Sequence, residues 1–235
     1  RQMRVHLTEA SLPERRDVLC KLEAGAVALG LTGSLSKAFA AEPRSSADLK
    51  PSDKWLESVT GKHRQFFDMP QHGNGLGLIH VRNYLNTLRD TYHVTHPDAT
   101  AVVGLYGMTT LLGFNDAMWK KYNIGTALKV MDGSNAPATG NNFYVAPAGA
   151  AALSLTGAPL PIFADASISS LPQLGTVFIR CNHAFHPWMG LLGGANSADV
   201  RKEFEANILP GINLVPAMVV AVNQAQTHGC TYMYL

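Results

Sequence analysis

The chain has 235 residues, of which 46% are hydrophobic and 15% are charged. This composition suits one globular domain with a short appendage and excludes a disordered protein. The formal net charge is +2, but six basic and four acidic side chains precede Ala41, so the remainder is neutral with 13 of each sign. A neutral domain without lysine and arginine clusters has no electrostatic footprint for nucleic acid, and we expect no nucleic-acid partner.

Residues 1–40 have the pattern of an export signal. The pair Arg15-Arg16 precedes a weakly apolar segment over residues 24–35, and Ala38-Phe39-Ala40 follows it. This pattern resembles a twin-arginine translocation (Tat) signal peptide, which implies cleavage after residue 40 and a periplasmic or exported location. The apolar segment is too short for a membrane span of ~20 residues, so we expect no stable span after cleavage. An amphipathic N-terminal helix is the alternative interpretation.

Residues 41–60 are predicted to form a linker, and residues 61–235 an α/β domain. Strands are predicted at residues 63–68, 100–107, 176–179, 212–216 and 230–235, and helices at residues 76–92, 109–122, 167–175, 182–192, 197–209 and 217–226. This alternation of strands and helices predicts a parallel sheet that is covered on both faces. Residues 131–143 interrupt it with a Gly- and Asn-rich loop, which is either a functional lid or a solvated excursion.

The strongest functional signal lies where the strand Thr176 to Ile179 ends in a polar cluster. Open α/β folds bind their ligands at the carboxyl ends of strands, so Cys181 is the candidate nucleophile. The start of a following helix and His183 are its candidate activators. Arg180 is adjacent on an alternating strand, and we expect its side chain to point to the opposite face of the sheet.

Four further residues are candidates for binding. Asn182 follows the thiol directly and His186 lies five residues beyond it, whereas Asp68 ends the first strand and His72 lies just beyond that strand. Because the carboxyl ends of parallel strands share one edge, all four are expected to lie near Cys181.

Two other interpretations of the cysteine stay open. The spacing Cys181-x-His183-x-x-His186 offers thiolate and imidazole ligands of the kind that zinc and copper prefer, although it matches no standard metal motif. We therefore predict no metal and no cofactor. The thiol could also be inert in the core, or it could form a disulfide with Cys230 if the two Cα atoms lie within ~7 Å.

The C-terminal third shows a family resemblance. It combines the strand ending in Cys181-Asn182, the segment Leu209-Pro210-Gly211-Ile212-Asn213-Leu214-Val215-Pro216-Ala217-Met218-Val219, then Gln226 and Gly229-Cys230-Thr231-Tyr232. This combination resembles the DsrE/DsrF-like sulfur-relay superfamily. The resemblance implies a three-layer α/β/α, flavodoxin-like domain with about five mainly parallel strands. It also implies homo-oligomers, as trimers or hexamers, and a persulfide carried on the cysteine at the position of Cys181.

The sequence therefore favours an exported DsrE-like protein that binds or relays sulfur through Cys181 and works with a small-molecule or sulfur-carrying partner. Whether it is an enzyme, such as a sulfurtransferase, stays open at this point. The alternatives are a non-catalytic ligand-binding or assembly module of the same fold, and a metal site that uses Cys181, His183 and His186.

Overall fold

The computed structural model describes residues 49–132, 134–145 and 165–235. The predicted Tat signal and the first part of the predicted linker lie outside the described residues. The strands are β1 (His63–Met69), β2 (Ala99–Leu105), β3 (Thr176–Cys181), β4 (Ile212–Val215) and β5 (Thr231–Tyr234). The α-helices are α1 (Leu76–Tyr92), α2 (Asp116–Lys121), α3 (Ile124–Leu128), α4 (Phe185–Gly193), α5 (Ser197–Glu205) and α6 (Met218–Thr227). A 3-10 helix, Pro51–Ser58, precedes β1.

The five strands form one parallel sheet in the order β4-β3-β2-β1-β5. Helices cover both of its faces, so the predicted three-layer α/β/α, flavodoxin-like architecture is confirmed. The central strand β2 is buried at all seven positions, as expected for a strand with a layer of helices on either side. No helix in the described ranges is long and apolar enough to cross a membrane.

Alternating side chains divide the core into two layers. Face A is the side of the sheet on which α1 to α5 pack, with Phe67, Val103 and Phe178 contributed by the strands. Face B is the side on which the 3-10 helix Pro51–Ser58 and α6 pack, with Phe66 and Ile179 from the strands. Each strand therefore sends successive residues to opposite layers, as the two-residue period of a strand requires.

The connections change sides between β3 and β4. The chain leaves β3 through α4 and α5 on face A, whereas it leaves β4 through α6 on face B. In open α/β sheets a crevice forms at the carboxyl ends of two neighbouring strands whose connections diverge in this way, and ligands bind there. The carboxyl ends of β3 and β4 are thus the expected binding edge of this fold.

The helix predicted at residues 109–122 is wrong in part. A 3-10 helix runs from Gly107 to Gly113, Phe114 is extended, and α2 begins only at Asp116. The interruption is stabilised by Asn141, a buried residue whose Nδ2 donates to the carbonyl oxygens of Leu112 and Phe114 at 2.8 Å each. These two carbonyl oxygens therefore bond to a side chain instead of accepting the backbone hydrogen bonds of an α-helix.

The same contacts revise the prediction for residues 131–143. Residues 131, 132 and 134–137 are exposed, as the solvated alternative predicts. The end of the loop is not, because Asn141 is buried and its N–H donates to the Asp116 carboxylate at 2.7 Å. The helix predicted at residues 167–175 is also too long. Only Leu171–Leu174 is helical, as a 3-10 turn, within the described residues from 165 onward.

Candidate functional site

Cys181 is the last residue of β3 and lies at the point where the connections diverge. It pairs with Val215, the last residue of β4, and both side chains belong to the face B core. The cysteine is a free thiol with a relative exposure of 4%. The position predicted from the sequence, at the carboxyl end of an inner strand, is confirmed.

Two backbone N–H groups point at the sulfur. Ala184, immediately before α4, donates to Cys181 Sγ at 3.2 Å, and Met218, the first residue of α6, donates at 3.3 Å. The amino ends of helices carry partial positive charge and favour nearby anions by roughly 0.3–1 kcal/mol each. The sulfur therefore faces two backbone donors of the kind that bind anions.

The turn that follows the thiol is fixed by the β4–α6 junction. The N–H of Asn182 donates to the Val215 carbonyl at 2.8 Å, and that of His183 donates to the Pro216 carbonyl at 3.0 Å. These bonds join the turn to the end of β4 beyond the last paired residues of the two strands. They hold the backbone so that the next amide turns back toward the sulfur.

Arg201 on α5 braces the same turn from the other side. Its Nη2 donates to Asn182 Oδ1 at 2.6 Å, its Nη1 lies 3.2 Å from His186 Nδ1, and its Nε pairs with Glu205 at 2.8 Å. The guanidinium also lies 5.5 Å from the ring centre of Phe185. Because an arginine only donates hydrogen bonds, His186 Nδ1 is the acceptor. Arg201 thus connects residues on both sides of Ala184, a role that the sequence pattern did not reveal.

Arg180 points to face A, opposite to Cys181, as predicted. Its side chain is fully buried, with the guanidinium 4.8 Å from the ring centre of Phe114 and 4.6 Å from that of Phe185. None of its side-chain nitrogens has a hydrogen-bond partner among the described residues. Burial, assisted by the charge of Arg201, lowers the pKa of Arg180 to about 10. The group stays cationic at neutral pH, so its charge adds to the positive potential around the neighbouring thiol.

The two histidines after the thiol are exposed on the α4 side. Their ring centres are 6.1 Å apart, and the ring contact described for His183 is with His186. Within the described ranges, no three His, Cys, Asp or Glu side chains are placed to hold a metal ion. Cys181, His183 and His186 are thus not brought together as a ligand set in this part of the chain: the thiol lies in the face B core, and His186 accepts a bond from Arg201. The role of His183 as an activator stays a prediction.

Asp68 shares face B and the carboxyl edge with Cys181, two strands away. Its carboxylate is nearly buried, and Oδ2 accepts the hydroxyl protons of Tyr106 at 3.2 Å and Tyr232 at 2.5 Å. Its Oδ1 has no partner in the described part of the chain. The bond to Asp68, followed by burial, raises the pKa of Tyr232 to about 12, and burial followed by the charge of Asp68 raises the pKa of Tyr106.

Neither tyrosine was predicted from the sequence as a binding residue. Tyr106 follows the last residue of β2 as directly as Cys181 ends β3, so the rule that strand ends carry ligand-binding groups could have identified it. Tyr232 comes from β5, which is distant in sequence and becomes a neighbour only through the sheet order.

His72 was expected to lie near Cys181 because it follows a strand end, but its ring contacts other parts of the chain. Its Nε2 donates to the Leu128 carbonyl at 2.9 Å, its Nδ1 accepts the N–H of Asn74 at 3.1 Å, and its ring packs at 5.7 Å against Phe143. Both ring nitrogens are thus used to secure face A elements, and these contacts do not bring His72 to the thiol.

Cys181 and Cys230 cannot form a disulfide in this fold. Cys181 ends β3 and Cys230 immediately precedes β5. Because the strands are parallel, Cys181 lies at their carboxyl ends and Cys230 at their amino ends. They are separated by roughly 20 Å along the strands and by three strand spacings, against a limit of ~7 Å for the Cα atoms. Both thiols are free, and burial raises the pKa of Cys230 to about 11.

Comparison with known proteins does not indicate a function for this chain, so any functional proposal depends on the geometry of the site. No protein-family model, no curated protein and no solved structure matches this chain.

Proposed function

We propose that this protein takes up a sulfane sulfur on Cys181 and carries it as a persulfide. The observation that supports the proposal is the pair of N–H groups from two helix starts that converge on Sγ at 3.2 and 3.3 Å. A thiolate and a persulfide are both anionic, so the same two donors stabilise the group before and after sulfur is loaded.

The loading step can be written with thiosulfate as donor. The Cys181 thiolate attacks the outer sulfur, the S–S bond of thiosulfate breaks, and sulfite leaves with the bonding electron pair. The product is a Cys181 persulfide anion, and no external oxidant or reductant is needed. Because the thiol is only 4% exposed, the reacting end of the donor must be small.

Cyanolysis tests this proposal. Purified protein is exposed to thiosulfate or inorganic polysulfide, freed of excess donor and treated with cyanide, which removes the outer sulfur as thiocyanate. We expect about one thiocyanate per chain from the wild type and from Cys230→Ala, and none from Cys181→Ala. Equal release from the wild type and Cys181→Ala would refute the role of this cysteine.

A non-catalytic ligand-binding or assembly module is the second candidate. The observation that favours it is the burial of Cys181, which limits access to the thiol. This candidate predicts that Cys181→Ser leaves ligand or partner binding intact. The sulfur-carrying function predicts instead that the same substitution abolishes loading.

The proposal places the protein in the DsrE/DsrF-like superfamily and in the periplasm. The support comes from the C-terminal motif described above and from the Arg15-Arg16 pair before an apolar segment. Cell fractionation of a tagged full chain tests the location, because Arg15→Lys combined with Arg16→Lys should retain the protein in the cytoplasm if it uses the twin-arginine route.

The proposal also includes self-association into a trimer or hexamer. The edge strand β5 is exposed along its whole length, with Tyr232 at 43%, Met233 at 42% and Tyr234 at 64%. An exposed apolar edge strand is a site at which chains associate. Light scattering on the purified protein should give the mass of a trimer or hexamer, and Met233→Lys should reduce it. A monomer at micromolar concentration would contradict this part of the proposal.

A further inference from the structure

A cleft of about 330 Å³ opens on face B next to the β4–α6 junction. One wall comes from the start of the 3-10 helix Pro51–Ser58, and the other comes from the end of β4 and the first turns of α6. Pockets for small molecules begin at about 300 Å³. The cleft is therefore of a size to hold a small organic molecule.

The cleft adjoins the thiol site. Val215 contributes to its wall and is the direct partner of Cys181 across β4 and β3, with both side chains on face B. Ala217, also in the wall, precedes Met218, whose N–H donates to Sγ. Neighbouring strands lie ~4.8 Å apart, so one strand spacing separates the cleft wall from the residue that carries the sulfur.

The lining combines aliphatic side chains, two opposite charges and the polar side chains of Ser52 and Gln224. Val215, Val220 and Ala221 supply the aliphatic surface, and Lys50 and Asp53 stand at the side formed by the 3-10 helix. A small dianion such as thiosulfate would be attracted by the lysine but repelled by the aspartate. A molecule with one carboxylate, one ammonium and a short apolar chain matches both charges and the apolar wall.

We infer that this cleft binds the sulfur donor, and that the donor is the persulfide of a zwitterionic amino-acid thiol; the inference rests on the proposed function of Cys181. In the transfer, the Cys181 thiolate attacks the outer sulfur of the donor persulfide. The S–S bond of the donor breaks, and its inner sulfur leaves as a thiolate with the electron pair. The outer sulfur and its proton stay on Cys181, so atoms and charge balance without a further reactant.

A pair of matched variants tests the inference. Val220→Trp places an indole in the cleft, whereas Val219→Trp places the same group on the neighbouring residue of α6, which is 78% exposed and does not line the cleft. Loading of Cys181 is followed by intact mass with cysteine persulfide as the donor, and alkylation by iodoacetamide reports access to the thiol.

We expect Val220→Trp to slow loading from cysteine persulfide by about tenfold, and Val219→Trp to leave it within about twofold of the wild type. Alkylation of Cys181 should stay similar in both variants, which shows that the thiol itself is intact. Lys50→Gln and Asp53→Asn should each raise the cysteine persulfide concentration that gives half the maximal loading rate by about threefold, as expected for one exposed charge contact with the donor.

The outcomes separate this inference from the proposed function. Loading of Val220→Trp at the wild-type rate would overturn the assignment of the cleft while leaving the role of Cys181 intact. Loading from thiosulfate but not from cysteine persulfide would overturn the donor class alone. Failure of the wild type to load from any donor would overturn both.

Discussion

The sulfur of Cys181 accepts a hydrogen bond from the turn that follows β3, and this turn is held by residues outside β3. Ala184, which donates to Sγ, lies between Asn182 and His186, and Arg201 contacts both of these flanking side chains. Arg201 does not touch the sulfur, so its effect must pass through the backbone of the turn. We regard it as a positioning residue.

Replacing Arg201 therefore tests the turn directly. We expect Arg201→Ala to slow sulfur loading at Cys181 by about tenfold, because the Ala184 N–H loses its fixed direction. Lys202→Ala is the matched control on the same helix, since Lys202 is exposed and its described ion pair is a 3.5 Å contact with Asp199.

A merely structural role for Arg201 would give a different pattern. It would lower the unfolding midpoint without changing the loading rate of the folded protein. If Arg201 acts by holding the turn, Asn182→Ala should also slow loading. The double variant should then be no slower than either single variant, because the effects of residues in one network are not additive.

The position of Cys181 at the end of its strand was the feature of the site that the sequence predicted best. The apolar run before Cys181 located it at the carboxyl end of β3, and the two-residue period correctly placed Arg180 on the other face. The donor from Met218 was not predictable, because it comes from a helix 37 residues later in the chain. Arg201 reaches Asn182, and Tyr232 reaches Asp68, only through tertiary packing.

At the scale of elements, α6 has to approach the sheet closely for its first N–H to reach the thiol. Gly104 on β2 permits this approach: a Cβ at that position would lie 2.8 Å from Met218 Sδ and 2.9 Å from Phe66 Cζ. The elements predicted wrongly lie elsewhere. The helix expected at residues 109–122 is broken because Asn141 occupies the carbonyls of two residues within it.

We expect Gly104→Ala to lower the free energy of unfolding by about 1–3 kcal/mol, because it overpacks the face B core. Gly190→Ala is the control: Gly190 lies in α4, and a Cβ there would meet no atom within 4 Å. Alanine should stabilise that helix by about 0.5–1 kcal/mol. Urea unfolding of the two variants measures both values, and equal stabilities would contradict the close packing of α6 on β2.

At the scale of the molecule, one histidine connects the two face B elements. His228, just beyond α6, donates from Nε2 to the Val59 carbonyl at 3.1 Å, where the chain leaves the 3-10 helix Pro51–Ser58. Burial lowers the pKa of His228 in the folded protein. The unfolded chain therefore takes up a proton at a higher pH than the folded chain does.

This difference sets the sign of a pH effect on stability. The contribution of His228 is fully present above the ordinary histidine pKa of ~6.5 and is lost as the pH falls below it. We expect the wild type to lose more stability between pH 7.5 and pH 5 than His228→Gln, whose amide can donate the same bond without titrating. Urea unfolding at the two pH values measures this, and identical pH dependence in both proteins would contradict the prediction.

The sheet order also determines which chemistry the two cysteines can share. They lie at opposite ends of the parallel strands, so the Cys230 thiol cannot attack a persulfide on Cys181 within the same chain. The persulfide should persist until an external thiol or another acceptor removes it.

The intact mass of the protein after exposure to a persulfide donor tests the role of Cys181 most directly. We expect the wild type and Cys230→Ala to gain about 32 Da, the mass of one sulfur atom, and to lose it again with dithiothreitol. Cys181→Ala should gain nothing. A gain that survives in Cys181→Ala, or a wild type that gains no sulfur, would contradict the proposed function.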